Sequence, residues 1–388
     1  MLIKKFTFRK FCLPISGFLM LCVCLQAITT HASEAYEFER VPDGEMAGIL
    51  DISNKTRLLQ QRRAEVIPNQ QGNKLRGVHP KSHVCIAAEF TVNKTIAAQY
   101  RVGLFSKPGE RFEAVIRFSN AAVTLSADDA TGSRGMAVKV LDVKRDVLLS
   151  DDGKQNQDFL MINTPEFAFP NVRSYQRLTN ALLASPSGAD PRAAFSPDGL
   201  AQEDLADLQK TFKVIGKIGK MPVRNPLEVQ YFAAAPSTFG ADRIMKFSVE
   251  PCDGAVPQLA FDNVDALQPD YLRAALVGTM SQPGEICYDF KLQVLNVDQV
   301  KAHRSTNSSD LVEDATVVWH EEDYPMVKVA RLVAKRPQVI EMDNEFQQNC
   351  KSLGFNPWHS VRQHRPLGGI NRLRKPVYIN SQMNRRFQ

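Results

Sequence analysis

Arg374 and Tyr378 stand four residues apart near the C-terminus, a spacing that puts both on one face if the segment is helical. A phenol titrates near 10, so a phenolate at neutral pH needs a metal or a neighbouring cation. Arg374 would supply the cation for a metal-bound phenolate, although taken alone the two residues read as an ordinary i,i+4 surface pair. Pro376 intervenes, and proline is tolerated only in a helix's first turn, so the pairing requires the helix to begin there. Three other segments carry a second kind of chemistry: Arg76-Gly77-Val78-His79-Pro80-Lys81, Arg117-Phe118-Ser119-Asn120 and Asn163-Thr164-Pro165. A neutral imidazole such as His79 can move a proton near neutral pH. A hydroxyl such as Ser119 can orient that ring, and an amide such as Asn163 can hold a ligand without itself titrating.

These side chains need a frame. From residue 83 the pattern turns to period two, with β-rich runs at 83–92, Arg111–Asn120, 136–143 and 158–162, divided by Gly, Pro and Asp/Asn clusters. Helical spacing follows at 171–184 and 199–217, then strands at 228–235, 243–250, 287–295 and 315–320, interrupted by a helix at 268–280. About eight strands with helical insertions and no internal repeat imply an α+β domain built on an antiparallel sheet or barrel. Residues 36–75 read as one or two helices of an N-terminal arm.

With these segments in this order, the chain resembles the haem catalase family. Its members carry R-x-x-H-A-K, R-F-S-T and N-T-P in succession, matched here by Arg76-x-x-His79-Pro80-Lys81, Arg117-Phe118-Ser119-Asn120 and Asn163-Thr164-Pro165. The family's R-x-x-x-Y with a further arginine seven residues on is matched by Arg374, Tyr378 and Arg385, and its W-x-x-x-D-Y-P strand by Trp319-His320 with Asp323-Tyr324-Pro325. The resemblance implies an eight-stranded antiparallel β-barrel with helical insertions, and haem b held in the ferric state by Tyr378 as tyrosinate ligand. His79, Asn163 and Ser119 would be the catalytic set on the opposite face. It further implies that Arg76, Arg117 and Arg385 hold the propionates, which suits guanidinium–carboxylate pairing. Val78 would border the haem, and Tyr175 falls where the family stacks a phenylalanine on the ring.

The pattern also departs from the family. Pro80 replaces a small alanine, Ser82 a glycine and Asn120 a threonine. The sequence stops ten residues after Tyr378, where large members continue, so the likeness is to the small catalase-related peroxidases. A shorter channel would favour peroxidase turnover of hydrogen peroxide or organic hydroperoxides, with an organic electron donor, over dismutation. Two alternatives come from other classes: a haem-dependent isomerase or lyase of fatty-acid hydroperoxides, as in the allene oxide synthase relatives, and a non-enzymatic haem-binding protein. The first would place a threonine where this chain has Val78. The second would not need His79 and Asn163.

Of the 388 residues, 1–32 hold Lys4, Lys5, Arg9 and Lys10 and no acid, followed by an apolar run over 11–28 and a small-residue exit at Thr30-His31-Ala32. That is the layout of a cleaved signal peptide, which implies a periplasmic or secreted protein. Without it the formal charge falls from +6 to +2, giving no ground for a nucleic-acid or membrane-surface partner. The expected organisation is a signal peptide (1–32), a helical arm (33–75) and one haem-binding domain (76–388), with no stable membrane insertion and no oligomeric state readable. Cys85, Cys252, Cys287 and Cys350 remain after cleavage, and could pair in three ways. Buried free thiols with at most one disulfide are the expectation. The remaining histidines read as structural: His83 facing solvent or a loop, His303 solvated, His320 packed on a strand. His359 and His364 fall in a polar loop with no carboxylate or cysteine for a metal.

Overall fold

The computed structural model describes residues 38–68, 75–128, 132–151, 153–252, 268–306, 310–338 and 340–386. The expected signal peptide lies outside them. Among the described residues nine strands form: β1 (Ser82–Val92), β2 (Arg111–Asn120), β3 (Arg134–Val140), β4 (Gln157–Ile162), β5 (Tyr231–Ala233), β6 (Ser237–Thr238), β7 (Arg243–Pro251), β8 (Gly284–Asn296) and β9 (Val327–Arg336). Every pairing is antiparallel. The order runs β5-β4-β3-β2-β1-β9-β8-β7, and a β5–β7 pairing at Phe232↔Ser248 closes eight of them into a barrel. The two-residue β6 is an extra edge on β7. Closure removes the free edges that an open antiparallel sheet would expose.

The inside is aromatic. Phe159 lies 4.7 Å from Phe290 and 4.9 Å from Phe247, and Phe90 lies 5.3 Å from Phe290, ring centre to ring centre. Because side chains alternate along a strand, the neighbours of these core residues face outward. On β2, β3 and β4 they stand in register: Arg117 opposite Ala137, Ser119 opposite Gly135, Gly135 opposite Ile162, Ala137 opposite Leu160. This outer face is covered too, which explains why the alternation in β2 fails at its middle. Val115 is buried there against Cys85 and Cys350.

Among the described residues seven α-helices accompany the barrel: α1 (Glu45–Val66), α2 (Val172–Ala184), α3 (Gln202–Ile218), α4 (Tyr271–Met280), α5 (Val297–Thr306), α6 (Glu345–Ser352) and α7 (Gly369–Arg386). Asn171 caps α2 by accepting the Ser174 N–H at 3.0 Å. Ile49 and Ile52 of α1, Val172 of α2, and Leu373 and Val377 of α7 share one buried cluster. Among the described residues no helix is long and apolar enough to cross a membrane.

Several expectations change. Residues 315–320 form no strand; the barrel strand is Val327–Arg336. The apolar character of 315–320 serves packing instead, with Trp319 buried among Phe38, Leu311 and Val312. Pro376 sits inside α7, not in its first turn. The four cysteines form two disulfides, Cys85–Cys350 and Cys252–Cys287. His83, His359 and His364 are buried, whereas His320 is exposed. His359 also has carboxylate neighbours, Asp158 and Asp151, which its local sequence does not reveal.

Candidate functional site

One cavity on the outer face of the barrel gathers the chemistry. It is lined by Arg76, Val78, His79, Arg117, Ser119, Gly135, Ala137, Leu160, Phe355, Arg374 and Tyr378 among others. Gly135 and Ala137, alternate residues of β3, leave the wall shallow there. A smaller adjoining cavity shares Arg76, Val78, Phe355 and Tyr378 and adds Thr56, Ser381 and Arg385.

His79 enters from the loop before β1 with φ of 54°, a left-handed conformation that costs a non-glycine residue energy. Its backbone carbonyl accepts Arg117 Nη2 at 2.8 Å, and its Nδ1 lies 3.0 Å from Ser119 Oγ. The ring fits because Gly135 has no side chain: a Cβ there would come within 2.7 Å of it. Burial, then the cations Arg117, Arg374 and Arg76, push His79 down to about 3. The imidazole is therefore neutral at working pH, with Nε2 as the nitrogen available to a ligand.

Asn163 follows β4 directly and is buried. Its Oδ1 accepts the Arg134 N–H at 2.7 Å, while its Nδ2 has no hydrogen-bond partner among the described residues. A buried amide with an idle donor is costly unless a ligand takes it.

On α7 the Arg374 guanidinium lies 5.8 Å from the Tyr378 ring centre and donates to Asn371 Oδ1 at 3.2 Å. Among the described residues the buried Arg117 and the half-buried Arg76 donate to backbone carbonyls: Arg76 reaches Leu353 at 2.8 Å and Lys351 at 3.3 Å, and Arg117 reaches His79. Arg385 also donates to the Lys351 carbonyl, at 3.1 Å. Burial, then the charges of Arg117 and Arg385, drive Arg76 well below its ordinary value; burial, then Arg385, brings Arg117 to about 9. Neither Arg76 nor Arg117 has a carboxylate partner among the described residues. Converging guanidinium groups of this kind suit a ligand bearing carboxylates.

Thus the structure brings His79, Ser119, Val78, Arg76, Arg117, Arg374 and Tyr378 to one cavity, with Arg385 in its annex and Asn163 one residue beyond Ile162 of its wall. Tyr175 is set apart from that lining. It packs against Phe167 and Phe169, at 6.3 and 5.4 Å between ring centres, and against the α1–α7 cluster. Burial and then Tyr378 push its phenol up to about 12. Four contributors escaped sequence reasoning: Gly135, Phe355, whose ring lies 5.6 Å from the Arg76 guanidinium, Thr56, and Ser381, which accepts the Gly77 N–H at 3.1 Å. Small residues at alternate positions of a strand were the signal available for Gly135.

The donor set fits an iron porphyrin: a phenol for the metal, uncompensated cations for two carboxylates, and a neutral base and an idle amide for a small ligand. Comparison with known proteins bears on the same point. The family model described as Catalase matches residues 58–367, a span that ends before α7. Catalase A of Staphylococcus xylosus is 24% identical over 308 residues, covering 76% of this chain and 56% of that protein. Catalase-2 of Caenorhabditis elegans is 23% identical over 280 residues, covering 70% and 52%. The chain therefore spans about half the length of these curated relatives. Among solved structures, catalase A from Saccharomyces cerevisiae superposes with a TM-score of 0.60 at 16% identity, over 82% of this chain and 62% of that one. A fungal catalase gives 0.58 at 15% identity, over 80% and 59%.

Proposed function

This chain belongs to the catalase family, and from that premise we propose that it is an exported haem-dependent peroxidase with catalase-like chemistry, acting on hydrogen peroxide or organic hydroperoxides. The observation that carries the reading is the convergence of the His79–Ser119 pair and the Arg374–Tyr378 pair on one cavity beside Arg76 and Arg117. Haem b, when bound, supplies the ferric iron at which the peroxide is reduced. Tyr378 would hold the metal through its phenol oxygen, beside the Arg374 guanidinium. Arg76, Arg117 and Arg385 hold the propionates. His79 Nε2 takes the proton from one peroxide oxygen and returns it to the departing one, which a neutral imidazole can do. Ser119 keeps the ring oriented, and Asn163 Nδ2 donates to the bound peroxide. Two disulfides support an oxidising compartment, in keeping with a signal peptide cleaved after Ala32.

The test is haem loading followed by a substrate comparison. The purified chain is expected to take up haem with a ferric tyrosinate-type spectrum that Tyr378→Phe shifts or abolishes. Oxygen release from hydrogen peroxide, oxidation of a dye donor and consumption of a lipid hydroperoxide are then compared on the loaded protein. Failure to bind haem overturns the proposal. Rearrangement of the lipid hydroperoxide without any reductant would favour an isomerase instead.

A further inference from the structure

Asn163 lies one residue beyond Ile162 of the cavity wall, and only the NH2 end of its amide can donate. Its orientation is set by Arg134, which holds it twice: the Arg134 N–H donates to Asn163 Oδ1 at 2.7 Å, and the Asn163 N–H donates to the Arg134 carbonyl at 3.1 Å. Arg134 in turn lies directly opposite Asn120 across the β2–β3 pair. Its Nη1 donates to Asn120 Oδ1 at 3.1 Å. That oxygen also receives His83 Nε2 at 2.9 Å, while Asn120 Nδ2 donates to Asp128 Oδ1 at 2.7 Å. The Asp128 carboxylate, paired with Lys81 at 2.8 Å, accepts only, so the Asn120 amide has one permitted orientation. Burial keeps His83 neutral, at about 4, so it serves Asn120 as an Nε2–H donor. All of Asn120, Arg134, His83 and Asp128 are buried.

We propose that Asn120 is a positioning residue for the distal pair, locking the end of β2 against β3 through Arg134 so that Asn163 offers its NH2 group to the ligand. Asn120 is also the neighbour of Ser119, which holds His79, and Ser119 faces Gly135 in the same register. One residue thereby ties β2, which carries Ser119, to Arg134 of β3, which holds Asn163. Threonine, the family's residue at this position, would have to meet Asp128, Arg134 and His83 from one hydroxyl oxygen, whereas Asn120 reaches them with two separate atoms, Nδ2 and Oδ1.

The inference rests on the haem reading, and its test separates the two. Cyanide, titrated into the haem-loaded protein and followed by absorption, probes the distal donor. Asn163→Ala is expected to weaken cyanide about tenfold, the loss of one hydrogen bond to a charged ligand. Asn120→Ala is expected to weaken it severalfold, Asn120→Thr by less, and the double variant Asn120→Ala/Asn163→Ala no more than Asn163→Ala alone. Losses that multiply in the double variant, or no loss in Asn120→Ala, overturn the proposal. A second measurement needs no haem: the side-chain amide resonances of Asn163 are expected to shift in Asn120→Thr and stay in place in Ser119→Ala. If the wild-type chain takes up no haem, the haem reading falls, and an unmoved Asn163 amide in Asn120→Thr then overturns the positioning role by itself.

Discussion

His359 Nδ1 lies 2.8 Å from Asp158 Oδ2, a contact between residues 201 apart in the chain. Asp151 meets the other ring nitrogen, and the fully buried Lys139 donates to Asp158 at 2.7 Å. The cluster joins the segment that carries Phe355 to the barrel, because Asp158 also accepts the Asn356 N–H at 2.9 Å. Although burial alone would lower His359, the two carboxylates raise it to about 9. A folded value above the unfolded one means stability that is complete below about 6.5 and lost as pH rises through about 9. Urea midpoints are therefore expected to fall between pH 6.5 and 9. His359→Gln should remove that slope and cost about 3 kcal/mol at pH 6, since it strands buried charge. A flat wild-type profile would refute the imidazolium assignment.

The acid side carries the opposite sign. His79 is held at about 3, and His83 and His364 at about 4, in each case by burial first. Unfolded, these rings take up protons below about 6.5; folded, they do not. Stability is thus expected to decline as pH falls from 6.5 towards 4, by about 1.4 kcal/mol per pH unit for each such histidine. Thermal unfolding at pH 7, 6 and 5 measures this. An unchanged midpoint at pH 5 would mean that none of the three rings is held neutral in the native state.

The distribution of what was legible follows from range. Strands β1 to β4, β7 and β8 announce themselves because alternation is local. The motif residues at 76–79, 117–119 and 374–378 were readable because their types and order are also local facts. What failed depended on partners far away. His359 reads as a polar-loop residue without a carboxylate because neither Asp158 nor Asp151 is near it in sequence, and burial of a polar ring is decided by such partners. Residues 315–320 look like a strand because Trp319 and its neighbours are apolar, yet backbone pairing goes to Val327–Arg336, whose partners on β8 lie about 40 residues before it. The two disulfides, one spanning 265 residues, depended on strand order that spacing does not encode.

Cys85–Cys350 has consequences beyond stability. It ties α6 to β1, where the Gln347 side chain also bonds both the N–H and the carbonyl of Cys85, at 2.9 and 2.7 Å. The last turn of α6 and its C-cap present the carbonyls of Lys351 and Leu353, the first to Arg76 and Arg385 and the second to Arg76. Cys85→Ala/Cys350→Ala is expected to cost about 2–5 kcal/mol and to weaken haem retention, read as haem transfer to an apoprotein scavenger. Cys252→Ala/Cys287→Ala, at the β7–β8 junction, should lower stability while leaving retention unchanged. Equal retention in both variants would detach α6 from the site.

Gly135 offers the sharpest test of His79. A methyl group at this position would meet the imidazole at 2.7 Å and Ser119 Oγ at 3.0 Å, distances that force the ring or the serine to move. The strand itself accepts alanine, since Gly135 has no positive φ and alanine lowers the entropy of the unfolded chain. Gly135→Ala is therefore expected to fold and to bind haem, while peroxide turnover falls by about 10²-fold or more as the His79–Ser119 contact breaks. His79→Ala should cause a loss of similar size, and the double variant little further loss, because both changes remove one function. Turnover per haem, measured beside the unfolding midpoint, separates these effects. Full turnover in Gly135→Ala would mean that proton transfer does not depend on the His79 position held by β3.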